Sequence, residues 1–210
     1  AVDGAEIIFV VLPAFAHAYV AQELAGCLVD GQTVVVCPGA TGGALEFRAI
    51  WDRAGCRSKV RLCETNSLFY AARAQDAVAT ISGVKDELSL AALPAQDTQA
   101  IIDDLSDVYP QLIPAANVLE TSLNNMNTVV HPLPVLLNAG SIERGEKFRH
   151  YFDGITPAVG EVVEQMDRER VAVGRAYGLD ILSLRDAYIH YYHVQAEKMS
   201  DLCHCLLYTS

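Results

Sequence analysis

The stretch 117–140 reads NVLETSLNNMNTVVHPLPVLLNAG. Within it Asn127 and His131 stand four residues apart, the spacing that makes side chains neighbours on a helix. Pro132 and Pro134 follow at once. A proline removes a helix hydrogen bond and pushes the residue before it out of the α region. The sequence therefore predicts a helix that breaks at His131. An imidazole at a helix C-terminal end lies near free carbonyls and the negative end of the dipole, which favours its protonated form. Histidine is the side chain best suited to acid–base work near neutral pH. Projected at about 100° per residue, Val118, Leu119, Ser122, Leu123, Met126, Val129 and Val130 fill one arc. Glu120, Asn124, Asn127 and His131 fall opposite. Solvated helix faces favour Lys, Glu and Arg, whereas Asn is a poor helix former. The asparagines leave two readings open, a bland polar face or a site. His17, His150, His190 and His193 have no comparable setting and read as surface or packing residues.

The elements that must position these residues fall into two kinds. Ile7–Leu12 and Thr33–Cys37 are continuous apolar runs, the pattern of strands buried on both faces. Val60–Cys63 is a third strand. Ala16–Leu28 and Ala44–Ala54 have helical spacing between them. Strand–helix–strand–helix–strand at this spacing predicts a parallel α/β sheet. Pro38–Gly43 is a loop able to approach a ligand closely, and Glu64–Ser67 is the loop after the third strand. Two further strands are expected in Leu68–Lys85 and a short one in Glu87–Leu93. Asp97–Val108 reads as a helix capped by Asp97, and Leu112–Pro114 as an extended link. Beyond Asn117 nearly everything is helical. Thr156–Tyr177 is a long amphipathic helix with Thr156 as cap and Pro157 at its first position. Ser183–His193 is another helix.

Composition narrows the partners. The formal net charge is −11, from 26 acidic and 15 basic residues, and such a surface repels phosphate backbones. No apolar run reaches the roughly 20 residues that span a bilayer, and no secretory signal is evident. The six cysteines form no CxxC pair and read as reduced core thiols of a cytoplasmic protein. Cys203, His204 and Cys205 are adjacent, which suits no single tetrahedral metal ion, so no metal is expected.

The blocks VLPAFAH, CPGATGGALEFR, ETNSLFYAAR, NVLETSLNNMNTVVHPLPVLLNAG and YFDGITPAVGEVVEQMDRER occur in that order. Together they resemble the octopine/nopaline (opine) dehydrogenase family, nearest its bacterial branch that makes N-(1-carboxyethyl)-norvaline. The resemblance runs from about Ala5 to about Tyr188. It implies an α/β followed by all-α architecture: the second half of a Rossmann-like doubly wound sheet and part of a helical substrate domain. Residues 1–115 would be the C-terminal half of the dinucleotide-binding domain and 116–204 a partial α-helical domain. The implied activity is reduction, by NAD or NADP in reduced form, of the imine between an α-keto acid and an amino acid. His131 would handle the proton, with Asn127 holding substrate or imidazole. Pro13, Ala14, Pro38, Gly39 and Ala40 would lie along the cofactor, and Ser67, Asn124 and Thr156 would meet substrate. The implied partners are these small molecules and a second copy in a homodimer, not nucleic acid or membrane.

Departures from the family pattern accompany this. The chain has no GxGxxG; Gly39–Gly43 is glycine-rich with different spacing. The aspartate that partners the family's histidine has no counterpart before Ser210. A missing front half is the expectation that follows. Two alternatives stay open: a 2-hydroxy-acid or ketopantoate-type reductase of the same architecture, and an inactive fragment or scaffold. The final residues, 205–210, read as a non-native tail resembling translated adapter sequence. Deleting them is expected to leave the thermal midpoint of unfolding unchanged; a drop of several degrees would contradict that reading.

Overall fold

A computed structural model describes residues 2–205. Its contacts group into two units, Ala1–Phe69 with Asp86–Asn125, and Tyr70–Lys85 with Met126–Ser210. The sheet-bearing unit thus extends past the boundary expected at Ala115, to Asn125, and gives up the segment 70–85 to the other unit.

In the first unit the strands are β1 (Ile7–Val10), β2 (Thr33–Val36), β3 (Arg61–Thr65), β6 (Leu88–Leu93) and β7 (Leu112–Pro114). Their order in the sheet is β1-β2-β3-β6-β7. The first three run parallel, β6 is antiparallel to β3, and β7 is parallel to β6. Helices α1 (His17–Ala25) and α2 (Gly43–Arg53) are the crossovers between the parallel strands. The period-two alternation of a strand splits the core into two faces. Val34, Val36, Leu62 and Ala91 pack with Ala21, Leu24, Phe47 and Trp51 of α1 and α2. Val35, Cys63, Leu90 and Ala92 pack on the other face with Ile101 and Leu105 of α3 (Thr98–Leu105). Helices therefore cover both sides of the sheet, as the α/β reading requires.

Several local expectations are corrected. The TVVV strand is buried throughout, but β1 forms a sheet edge and Ile7 is exposed, so its apolar run is not buried on both faces. Glu64 and Thr65 belong to β3 rather than to the loop after it. The link 112–114 is a strand, because β6 offers it a free edge to pair with. Asp97 makes no side-chain cap; instead the amide of Ala92 donates to Thr98 Oγ1 (3.0 Å).

Glu64 is fully buried. Strand alternation sends its carboxylate to the same face as Leu62, toward the start of α2. There Ala44 N–H donates to Oε2 at 2.7 Å. Thr121 Oγ1 and Ser122 Oγ of α4 (Val118–Leu123) donate to Oε1 at 2.6 and 3.0 Å. The carboxylate thus satisfies an otherwise unpaired amide at a helix N-terminus and ties α4 to the sheet. Gly39 lets this happen: a Cβ at that position would overlap the Glu64 carboxylate. Helix α4 has its own local support. Asn117 Oδ1 accepts from the amides of Leu119 and Glu120, and Glu120 Oε2 accepts from Ala116 N–H. This is a close variant of the capping box.

The second unit holds the hairpin β4 (Tyr70–Gln75) and β5 (Val78–Val84) and the helices α5 (Asn127–Val130), α6 (Pro132–Leu137), α7 (Ala139–Glu143), α8 (Pro157–Ala176), α9 (Leu184–Tyr192) and α10 (Met199–Cys205). Thr156 Oγ1 accepts from Val159 N–H at the start of α8, as its sequence predicts. Val129, Val130, Val163, Leu184, Tyr188 and Leu202 form the core. Asp167 and Arg170 of α8 are buried and paired at 2.7 Å. Asp167 also accepts from Leu184 N–H, and Arg170 donates to Leu182 O. Cys205, assigned to the tail from the sequence, is the last residue of α10; 206–210 lie outside the described residues. Among the described residues, no helix is long and apolar enough to cross a membrane.

The Glu64 cluster yields a stability prediction. Glu64→Ala takes the acceptor from the Ala44 amide and the Ser122 hydroxyl, while Thr121 Oγ1 keeps Val118 O (3.1 Å); each stranded donor costs about 1–3 kcal/mol before relaxation. The urea midpoint is expected to fall by the equivalent of roughly 3 kcal/mol, and Gly39→Ala to destabilise as well. Burial raises the pKa of Glu64 despite its hydrogen bonds. The folded chain therefore holds this proton more tightly than the unfolded one. The stabilisation is full at acid pH and is lost as pH rises through the raised value. Glu64→Gln is expected to flatten that slope; an unchanged pH dependence of the midpoint would refute the assignment.

Candidate active site

The loops after β1 and β2 lie at the carboxyl ends of those strands, the side on which open α/β sheets bind small molecules. After β1, Pro13 and Ala14 are exposed and Phe15 projects almost completely, at 89% exposure. Pro13 O accepts from Ala16 N–H (2.9 Å), turning the chain into α1. After β2, Pro38 and Ala40 are half-buried and Gly39 is buried. Ala40 has φ +53°, a left-handed conformation that costs an alanine about 1–2 kcal/mol. Strained residues of this kind gather at functional loops.

The start of α2 does not act as a phosphate cradle. Gly42 N–H donates to Ser122 Oγ (2.9 Å), Gly43 N–H to Gly39 O (3.0 Å) and Ala44 N–H to Glu64. Its first amides are therefore filled from within. The loop after β3 is also internally tied. Thr65 Oγ1 donates to Ser67 O (2.8 Å), Gly39 N–H donates to Thr65 O (2.9 Å), and Ser67 itself is half-buried.

In the second unit the expected break at His131 is present, but its surroundings differ from the sequence reading. The segment 117–131 is not one helix. Chain 118–123 forms α4, Asn124 closes it, and α5 starts at Asn127. Glu120, Asn124, Asn127 and His131 therefore share no continuous helical face. The asparagines do what their poor helix propensity suits them for, capping and punctuating. Asn127 is exposed at the start of α5, and its carbonyl accepts from His131 N–H (3.4 Å).

His131 both closes α5 and opens α6, its carbonyl accepting from Val135 N–H (3.2 Å). It stays in the α region, with φ −104° and ψ −58°, although a proline follows. The ring is half-buried. His150 stacks on it, with centroids 5.1 Å apart and planes 28° from parallel. Tyr151 Oη lies 3.3 Å from its Nε2. The pKa of His131 is lowered, first by burial and then by the charge of His150. The sequence expectation of a favoured imidazolium is thus reversed: the start of α6 adds a positive helix end beside the negative end of α5, and burial dominates. His150, read from sequence as a bystander, is fixed by Nε2 donating to Val130 O (3.0 Å).

Two other expected substrate residues have structural occupations. Asn124 is half-buried, with its amide bonded back to Glu120 O (2.8 Å). Thr156 is exposed and caps α8. Asn138 of the LLNAG block donates to Pro134 O and Gly154 O (2.8 and 2.9 Å), holding α6 to the turn before α8. Glu64 in the first unit, beside the Pro38–Gly43 loop, and His150 and Tyr151 in the second, beside His131, are residues that spacing did not indicate. Their contacts join parts of the chain about 20 to 58 residues apart.

Comparison with known proteins gives these residues a context. Residues 114–207 match the family model described as NAD/NADP octopine/nopaline dehydrogenase, alpha-helical domain. The chain is 40% identical over 189 residues to an opine dehydrogenase of Arthrobacter sp. (strain 1C), covering 90% of this chain and 52% of that protein. A solved structure of octopine dehydrogenase with NADH and L-arginine superposes with a TM-score of 0.69 at 20% identity, covering 95% of this chain and 54% of that one. A ketopantoate reductase from Ralstonia eutropha JMP134 superposes with a TM-score of 0.59 at 16% identity, covering 92% and 61%. The chain spans about half the length of the curated relatives it matches. The helical part of the chain thus matches the alpha-helical domain of octopine/nopaline dehydrogenases, and the sheet-bearing part is carried in the same alignment to the Arthrobacter opine dehydrogenase.

Proposed function

We propose that the protein containing this chain reductively condenses an α-keto acid such as pyruvate with the amino group of an amino acid, with NADH or NADPH as reductant. The observation that carries this reading is the histidine of the helical domain. His131 is half-buried, its ring is gripped on two sides, and burial lowers its pKa, which favours the neutral imidazole. An amino acid arrives as an ammonium ion and must lose a proton before its nitrogen can attack a keto carbon. A neutral imidazole is the base for that step. The same ring, once protonated, is the acid that helps the carbonyl oxygen leave as water.

The bound dinucleotide supplies the hydride. The residues here bear on its ring end. Pro13, Ala14, Pro38, Gly39 and Ala40 stand at the strand ends where such a ring would pack, and the filled amides of α2 leave the pyrophosphate to other parts of the protein. Asn127, Asn124, Ser67 and Thr156 are the proposed polar contacts to substrate. Residues 1–115 serve as part of the dinucleotide-binding domain and 116–204 as part of the substrate domain. The free thiols fit a cytoplasmic setting, and a homodimer is the assembly that the family resemblance implies.

A reductase acting on a C=O group is the second reading, favoured by the fold similarity to ketopantoate reductase. The two separate cleanly. Using the product of the complete reading frame, NADH oxidation with pyruvate should require an added amino acid; equal rates without one would support the second reading. In that protein His131→Ala is expected to lower turnover by about 10²–10⁴-fold, with NADH affinity and melting temperature held. Asn127→Ala should cost less. Turnover should also fall as pH drops through the lowered His131 pKa. A stable His131→Ala protein with near-normal turnover would remove the histidine from the mechanism.

A further inference from the structure

The strongest unassigned group of titratable side chains is the trio His131, His150 and Tyr151. His150 and Tyr151 come from the loop 144–156, about 20 residues beyond His131. The three rings touch pairwise: His131 to His150 at 5.1 Å, His131 to Tyr151 at 5.8 Å, and His150 to Tyr151 at 4.9 Å between centroids. Two hydrogen bonds fix how protons are shared among them. A backbone carbonyl can only accept, so His150 Nε2, which is bonded to Val130 O, must carry a hydrogen. The contact between Tyr151 Oη and His131 Nε2 could run either way. A phenol, with a pKa near 10, is a far better acid than a neutral imidazole N–H, and imidazole nitrogen is the better base. The stable arrangement therefore has Tyr151 donating to a bare Nε2, which leaves the His131 hydrogen on Nδ1.

The titratable neighbours have partners of their own: on the same loop Arg149 pairs with Asp153 at 3.1 Å, and His204 of α10 is bonded to Phe152 O (2.9 Å). Helices α5 and α6, which flank His131, read NTVV and PLPVLL and contain no titratable side chain. On α8, which packs against both, the buried Asp167 and Arg170 neutralise each other, and Glu164 pairs with Arg185 at 2.7 Å. His150 is then the group whose protonation His131 senses, because two stacked imidazolium rings repel.

We propose that His150 and Tyr151 are positioning residues for His131, holding it as the Nδ1–H tautomer with a bare Nε2, so that it enters the reaction as a base. This rests on the reading of His131 as the proton carrier. In the step it prepares, the Tyr151 hydroxyl yields its place at Nε2, the substrate ammonium gives one proton to the lone pair thus exposed, and the freed amine lone pair attacks the keto carbon. The imidazolium holds that proton until water leaves.

The test is nitrogen NMR on the complete protein with ¹⁵N-labelled histidine, which needs no turnover. In the unaltered protein the His131 Nε2 signal should report an unprotonated nitrogen at neutral pH. His150→Gln should raise the His131 midpoint by roughly half a pH unit or more. Tyr151→Phe should shift the His131 tautomer balance toward Nε2–H, a signature that loss of packing alone would not produce. A protonated Nε2 in the unaltered protein would overturn the proposal, as would a His131 midpoint indifferent to His150→Gln. If either variant fails to fold, the tautomer of the unaltered protein still decides. Should the coupling hold while His131→Ala keeps its turnover, the functional reading fails and the ring assignment stands. The opposite pair of results sinks the ring assignment alone.

Discussion

A buried carboxylate at a helix start fixes how the sheet-bearing unit is put together. Burying the Glu64 carboxyl group is costly unless its oxygens find donors, and burial still raises its pKa. The fold meets that demand with a helix amide from α2 and two hydroxyls from α4. Each partner is thereby committed. Helix α2 must begin where its first amides face β3, the chain at 39 must lack a side chain, and α4 must lie over the same sheet face as α2. The Pro38–Gly42 loop is held at both ends by these bonds, through Gly42 to Ser122 and Gly39 to Thr65. A loop that would stand beside a ligand is in this way carried on a rigid support.

Much of this architecture can be read from residue types alone, and the reasons are local. The TVVV run, the helical spacing of 43–53 and the Thr156–Pro157 start of α8 each carry their own signal within a few residues. So does the break at His131, because proline acts on its immediate neighbours. The α/β class followed by helices rests on the same short-range patterns. What could not be read is tertiary. A glutamate next to Thr-Asn-Ser looks like a loop residue until the strand's alternation points it inward. The sheet's antiparallel β6 depends on which edge is free, not on its own sequence.

The histidine region shows the limit from the other side. Projecting 117–131 as one helix gives a tidy polar face, yet the chain interrupts that helix at Asn124. The low propensity that made the asparagines conspicuous is itself the cause of the interruption, since Asn favours caps and turns over helix interiors. His131 was identifiable by its prolines. Its protonation was not, because that is set by burial and by a ring about 20 residues further along the chain. Local dipole arguments fail where one residue ends a helix and begins the next.

The pairing of β3 with β6 has a consequence for how the chain can vary. These strands lie side by side, with Leu62 opposite Leu93 and Thr65 opposite Leu90, yet the chain between them makes an excursion that includes the β4–β5 hairpin. Both feet of the excursion are clamped by the same ladder, so its length is not set by the sheet. Lengthening such an excursion costs only about 0.6 kcal/mol per doubling in closure entropy. A change in the hairpin's length therefore falls on its contacts within the second unit, to which 70–85 belongs, and leaves the β3–β6 pairing as it is.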